Sequence, residues 1–209
     1  MSDPSHLDPA DRRERILDAA ERSFIRAGFH RSTMQDVARE AGMSPGNLYR
    51  YFPSKDAIVE GLVERDRAAL AEDFESFPET CALMRILAAL ARKHFLEEPR
   101  EKAVLTVQIW AEATVNEAVA AANAAIEADI LARFAHLIAA AKARGEVVAG
   151  LDPEEAARLI MTMSSGLFVR RALFLDFDAP RETGALLATI EGILKGDVAL
   201  SSAAAEASA

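Results

Sequence analysis

Between Thr33 and Phe52 the chain reads TMQDVAREAGMSPGNLYRYF. Asn47, Tyr49 and Arg50 crowd amide, phenol and guanidinium groups into one turn of chain, with Gln35 before them and Lys55 after. Such groups suit the edges of bases and the oxygens of phosphates better than they suit bond-making chemistry. The chain's only two tyrosines, Tyr49 and Tyr51, both fall in this stretch. What must position them is a pair of short helices around a tight turn. Thr33 caps the first, with Asp36 three residues on as its capping-box partner, and Met34, Val37, Ala38 and Ala41 give it one apolar stripe. Gly42 supplies the backbone freedom a sharp turn needs. Ser44 and Pro45 start a second helix, expected to run through Asn47, Leu48, Tyr49, Arg50, Tyr51 and Phe52 until Pro53 stops it. Leu48 and Phe52, four apart, would face inward and leave Pro45, Gly46, Asn47, Tyr49 and Arg50 outward. That is a helix-turn-helix, whose second helix enters the major groove of DNA N-terminus first. A structural helical hairpin around a glycine has the same outline and is the bland alternative.

Taken together, Thr33, Val37, Ala38, Ala41, Gly42, Ser44, Gly46, Leu48, Tyr49, Tyr51, Phe52 and Lys55 resemble the DNA-binding signature of the TetR/AcrR repressors, gapless from about Arg12 to Leu62. The resemblance implies that Gln35, Pro45, Gly46, Asn47 and Tyr49 approach base edges. It also implies that Thr33, Ser44, Arg50, Tyr51 and Lys55 hold phosphates, Lys55 with the N-terminal end of its own helix. Asn47 could donate and accept at adenine, and Pro45 or the Tyr49 ring could pack on a thymine methyl. Gln35 and Asn47 would look the same if they were merely solvated. The resemblance also makes Arg12 and Arg13 candidates for an arm touching the DNA backbone or minor groove, with a solvated charge run as the plainer account. Met43 departs from the pattern, where a smaller aliphatic residue is usual, and is expected to disturb packing more than reading.

The whole chain sets the limits. Its 209 residues, 51% hydrophobic, are enough for one or two globular domains with a real core. β-Branched residues are few, alanine abounds and nearly every segment has helical periodicity, so the fold class is all-α, with about nine helices. Cys81 is the one cysteine, which rules out an internal disulfide and fits a reducing cytosol. No apolar run approaches about 18 residues and no leader is visible, so a cytoplasmic protein without a membrane partner is expected. The formal net charge of −9 argues against indiscriminate nucleic-acid binding. From Gly28 to Lys55, however, Arg31, Arg39, Arg50 and Lys55 outweigh Asp36 and Glu40, so the acidity lies elsewhere.

In chain order, Met1–Leu7 is expected to be a disordered lead, followed by a helix from Asp8-Pro9 to Ala27 with the stripe Ile16, Ala20, Phe24 and Ala27. After the motif, a long helix of about Ser54–Phe77 carries Ile58, Leu62, Ala69, Leu70 and Phe74. Next come helices of about Glu79–Glu97, Lys102–Thr114 (apolar nearly all round and so expected buried) and Glu117–Arg144, the last striped by Ala122, Ile126, Ile130, Phe134, Leu137 and Ala141. Two final helices, about 152–174 and 180–194, carry more apolar surface than one body needs, which predicts a two-fold homodimer through a four-helix bundle. The resemblance places dimerisation there as well. The chain then divides into residues 1–56, a three-helix DNA-binding domain, residues 57–196, a helical effector-binding and dimerisation domain, and a disordered tail, 197–209. The WAEA region and the long helix after it loosely resemble the ligand domain of the choline-responsive branch of the same family.

For a small-molecule effector, the candidates are polar or aromatic groups set into apolar stretches: Phe95, Gln108, Trp110, Glu112, Asn116, His136, Met161 and Phe168. Trp110 and Glu112 would suit a cation or an aromatic ring. For each residue taken singly, core packing is the plainer account. His6, His30, His94 and His136 form no i, i+4 pair, so no metal is expected, and nothing predicts a cofactor. Cys81 has only Arg85 nearby to favour a thiolate, a thin basis for a redox sensor. No phosphate-binding loop, nucleophile elbow or HExxH stands in the chain, and the paired carboxylates lie at helix ends, so no catalytic residue is predicted. The expectation is a ligand-responsive, sequence-specific repressor that binds double-stranded DNA as a homodimer. An activator or effector-independent regulator of the same fold, or a helical ligand-binding protein without DNA activity, stands as the alternative.

Overall fold

The computed structural model describes residues 8–78 and 80–198. The expected lead Met1–Leu7 with His6, and the tail beyond Val198, lie outside these. Among the described residues there are nine α-helices and no strand: α1 Pro9–Ala27, α2 Met34–Glu40, α3 Pro45–Tyr49, α4 Lys55–Glu75, α5 Leu83–Arg92, α6 Arg100–Ala113, α7 Glu117–Ala143, α8 Pro153–Leu173 and α9 Ala179–Lys195. Their ends follow local chemistry. Asp8 accepts from Ala10 N–H at 3.2 Å, Asp152 from Glu154 and Glu155 N–H at 2.8 and 3.0 Å, and Asp178 from Arg181 N–H at 3.1 Å. In each case a short carboxylate satisfies donors that the first turn leaves unpaired, with proline inside that turn. Gly196 ends α9 at φ 83°, a left-handed conformation that a side chain would resist.

The described residues form two compact units: those up to Leu70 with Arg100–Ile126, and those between Ala71 and Pro99 with those from Glu127 to Val198. The first is built on Ile16, Leu17, Ala20, Phe24, Val37, Ala38, Leu48, Phe52, Ile58, Val59 and Leu62, to which α6 adds Leu105 and Ile109. The second is built on α5, the end of α7, α8 and α9, through Leu83, Leu87, Ile138, Ile160, Leu167, Ile190 and Ile193 among others.

Several sequence expectations need correction. The recognition helix is shorter than expected: α3 ends at Tyr49, Arg50 is its C-cap, and Tyr51 lies in a turn that brings Phe52 back onto the core. Core anchoring of Phe52, 2% exposed, therefore comes from the turn and not from a continuous helix. Helix α5 starts at Leu83, with Ala82 as N-cap, and not near Glu79. It then widens into a π-helical turn, Lys93–Glu97, where Arg171 donates to the His94 carbonyl at 2.8 Å and also to that of Glu98. Helix α6 is not buried all round. Ala103, Leu105, Ile109 and Glu112 are covered, Val104, Val107 and Trp110 are half-buried, and Ala111 is exposed. On α7 the expected stripe is mostly half-covered, and full burial falls on Val119, Ile138 and Ala141, because its two ends belong to different units. Ala69 of α4 is exposed.

Candidate nucleic-acid interface

Helix α2 is set by its cap. Thr33 Oγ1 accepts from Asp36 N–H at 3.2 Å, and Asp36 Oδ2 accepts from the Thr33 N–H at 3.0 Å and its hydroxyl at 2.6 Å. These bonds, those from the Thr33 side chain foremost, hold the Asp36 carboxyl below its ordinary value. The other end of α2 is tied to α1 by Glu40, which accepts from Arg22 at 3.0 Å and Arg26 at 2.9 Å. Hydrogen bonds from the two arginines, that from Arg22 foremost, lower its carboxyl pKa in turn. Gly42 turns the chain at φ 64°, and Ser44 Oγ accepts from Asn47 N–H at 3.3 Å to open α3. Leu48 is wholly buried, and Met43 packs partly against the same core.

This anchoring leaves one row of α3 outside. Pro45, Gly46, Tyr49 and Arg50 are exposed, Tyr49 by 50%, and Asn47 is half-covered. Thr33, Gln35 and Ser44 are exposed at the starts of α2 and α3, while Tyr51 is half-buried. Lys55 stands apart from this row. Its ammonium donates to the carbonyls of Phe29 at 2.9 Å and Ser32 at 3.3 Å, and lies 4.1 Å from the centre of the Phe29 ring. Arg13 likewise lies over the Phe52 ring at 4.6 Å.

Residues 16–62 match the model of the "Bacterial regulatory proteins, tetR family", and residues 81–195, over half the chain, match the "BetI-type transcriptional repressor, C-terminal" model. The chain belongs to the TetR family. It is therefore a DNA-binding transcriptional regulator with a helix-turn-helix. It is 27% identical over 171 residues to the HTH-type transcriptional regulator UidR of Escherichia coli K12, covering 80% of this chain and 85% of that protein. Among solved structures it is similar to Salmonella enterica GusR, with a TM-score of 0.78 and 29% identity over 91% of this chain and 98% of that one. A putative transcriptional regulator from Saccharomonospora viridis in complex with choline shares the fold, at a TM-score of 0.75 and 23% identity over 87% of this chain and 96% of that one.

The eight effector candidates of this TetR-family chain divide evenly between the two units. Gln108, Trp110, Glu112 and Asn116 belong to the first unit, and Phe95, His136, Met161 and Phe168 to the second. Gln108 accepts from the Phe29 N–H at 3.2 Å, Glu112 Oε2 lies 3.6 Å from His30 Nε2, and Asn116 caps α7 by accepting from Ala118 and Val119 N–H at 3.1 and 3.3 Å. Phe95 and Phe168 do meet, with ring centres 4.8 Å apart. Met161 is half-buried on α8. His136 lines an open cleft of about 420 Å³ with Phe74, Glu75, Asp129 and Arg133. A larger cleft in the first unit, about 620 Å³, is lined by Arg13, Tyr51, Phe52, Glu60, Gly61 and three alanines of α7 among others, and by none of the eight.

Sequence reasoning missed the residues that hold the motif from outside it. Arg65 of α4 pairs with Asp18 of α1 at 2.8 Å and also with Glu21. Lys102 of α6 reaches Asp66 at 2.8 Å and Glu21 at 3.6 Å. Burial pushes the Lys102 pKa down, but Asp66, foremost, and Glu21 raise it by more, which keeps the ammonium charged. No local pattern could reveal these pairs, since the partners are dozens of residues apart. The only hint was a break in the apolar stripe of α4 at Glu64–Arg67.

Proposed function

We propose that the chain is a sequence-specific repressor that binds a pseudo-palindromic operator as a homodimer and is released by a small molecule. The observation that carries this reading is the outward row Pro45, Gly46, Tyr49 and Arg50 on a helix whose Leu48 is wholly buried. Polar and aromatic groups held out from a rigid anchor are what groove reading requires. Gln35, Asn47, Pro45, Gly46 and Tyr49 would read bases, and Thr33, Ser44, Arg50, Tyr51 and Lys55 would serve the backbone contact. In a two-fold dimer the two recognition helices would occupy successive major grooves, roughly 34–36 Å apart.

Repression is supported by the family model matched over residues 81–195, which describes a transcriptional repressor. Pairing through α8 and α9 is supported by Leu173, Phe174 and Leu175, which are 63%, 47% and 88% exposed at the end of α8. Apolar surface this dense is what an isologous contact covers. In functional terms residues 1–56 read DNA and residues 57–196 pair and respond, in the cytoplasm. Release would be a population shift, with α4 as the element whose position the effector biases. The second reading is an effector-independent regulator of the same fold.

The test is titration of the purified protein against a fluorescent duplex from its own upstream region, a scrambled duplex, and duplexes selected from a random pool, at several salt concentrations. Preferred binding that weakens with salt, by a species of twice the chain mass, is expected. Selection that enriches no palindrome, or a monomer on the DNA, would refute the proposal. A ligand screen on the bound complex separates the two readings.

A further inference from the structure

The chain between α1 and α2, Gly28–Ser32, is the support on which the reading head's first helix starts, because Thr33, the cap of α2, follows it directly. Phe29 in this connection is gripped by every group it has. Its carbonyl accepts from Lys55 Nζ at 2.9 Å, and its ring lies edge-on to Phe24 with centres 5.4 Å apart. Its N–H donates to Gln108 Oε1 at 3.2 Å. Gln108 is 79 residues away on α6, a helix outside the 16–62 match to the DNA-binding family model. One turn further along α6, Glu112 Oε2 faces His30 Nε2 at 3.6 Å, while its other oxygen accepts from Asn116 Nδ2 at 3.4 Å. Two consecutive residues of the connection thus face two residues spaced four apart on one face of α6, and the bond from Phe29 to Gln108 is the one that holds it.

We propose that Gln108 is a positioning residue for DNA binding. By accepting the Phe29 N–H it fixes the connection that places Thr33 and α2, and so sets operator affinity without touching DNA. Phe29 is 5% exposed, so its amide has little access to water as a substitute partner. Without the acceptor the connection gains freedom that must be given up again on the operator, and affinity falls by the worth of one part-buried hydrogen bond, roughly three- to ten-fold. Gln108 is neutral, so its loss removes no charge from the interface and the salt dependence of binding stays unchanged. The effect on operator affinity rests on the DNA-binding reading above, whereas the grip on Phe29 does not.

The experiment compares Gln108→Leu with Gln108→Glu, whose carboxylate can still accept the N–H. Hydrogen exchange at the Phe29 amide is measured on the free protein, and operator affinity at several salt concentrations. Expected are faster Phe29 exchange and a three- to ten-fold loss of affinity at wild-type salt slope for the leucine variant, with both restored to within about two-fold by glutamate. Wild-type exchange in the leucine variant overturns the proposal, as do faster exchange with undiminished affinity and a changed salt slope. A thermal melt confirms that each variant is folded at the assay temperature, and Gln108→Ser repeats the test should leucine prevent folding. If the unmodified protein binds no duplex, the DNA-binding reading has failed instead, and the Phe29 exchange alone decides whether Gln108 holds the connection.

Discussion

Substituting Gly61 by alanine sets two effects of known size against each other. Gly61 is covered in the first half of α4, and a methyl group there would stand 2.9 Å from Phe52 Cε1, 3.0 Å from Leu17 Cδ2 and 3.3 Å from Arg13 Nη2. In an open helix, alanine for glycine stabilises by about 1 kcal/mol, because less backbone freedom is lost on folding. Here Phe52 and Leu17 are 2% and 1% exposed and packed into the core, so they yield less readily than the Arg13 end. Forcing a methyl group into such packing costs about 1–3 kcal/mol. The difference is a net loss centred near 1 kcal/mol, or a fall in Tm of about 2–4 °C for a chain of this size. Urea unfolding should show a lower midpoint with an unchanged slope. Operator affinity should fall as well, because Phe52 belongs to the same core as the recognition-helix anchor Leu48. Removing the obstacle should change the outcome: in Leu17→Ala/Gly61→Ala the losses should fall short of their sum by about 0.5–3 kcal/mol. A Gly61→Ala protein that melts higher than the parent would refute the reasoning, since it would show the site to be as open as a surface helix.

Gly46 is the opposite case. A methyl group there meets no atom within 4 Å, so Gly46→Ala should leave Tm unchanged or higher while weakening operator binding, and a variant that binds as tightly as the parent would remove Gly46 from the base-facing row. Thr33→Ala breaks the capping box on the seven-residue α2 and should cost about 1 kcal/mol in chemical unfolding; no measurable loss would mean that packing alone holds the helix. The same box predicts the response to acid. Asp36 and Glu40 both have folded-state pKa values below their unfolded ones, so the stability they contribute is present above the unfolded carboxylate range near 4 and is lost as pH falls through the depressed values. Melts taken from pH 7 to pH 3 should show this decline, and Asp36→Asn should flatten part of it; parallel curves for the two proteins would contradict it.

How much was legible in the sequence depended on how far apart the interacting groups lie. Thr33 with Asp36, Ser44 with Asn47, and Asp152 with Glu154 and Glu155 are partners within three residues, so cap, turn and helix starts could be read directly. The alternation of Leu48 inward with Tyr49 outward follows from helical period alone, and the family signature added the expected DNA contacts. The residue at which the recognition helix ends was not legible, because Arg50 and Tyr51 are compatible with helix; in the structure the chain turns over these two residues and brings Phe52, just before Pro53, onto the core.

Composition and local spacing thus determined an all-α chain with a helix-turn-helix, its caps, and the face it leaves outside. Only the tertiary structure decided that residues 100–126 join the head's unit, that Lys55 grips the carbonyls of Phe29 and Ser32, and that Gln108, an effector candidate by its polarity in an apolar stretch, has its oxygen taken by the Phe29 amide. The physical reason is one of range. A cap or a stripe is satisfied by neighbours a turn away, whereas a lone amide on α6 can be satisfied by any donor that folding brings near, and its sequence neighbours carry no record of which.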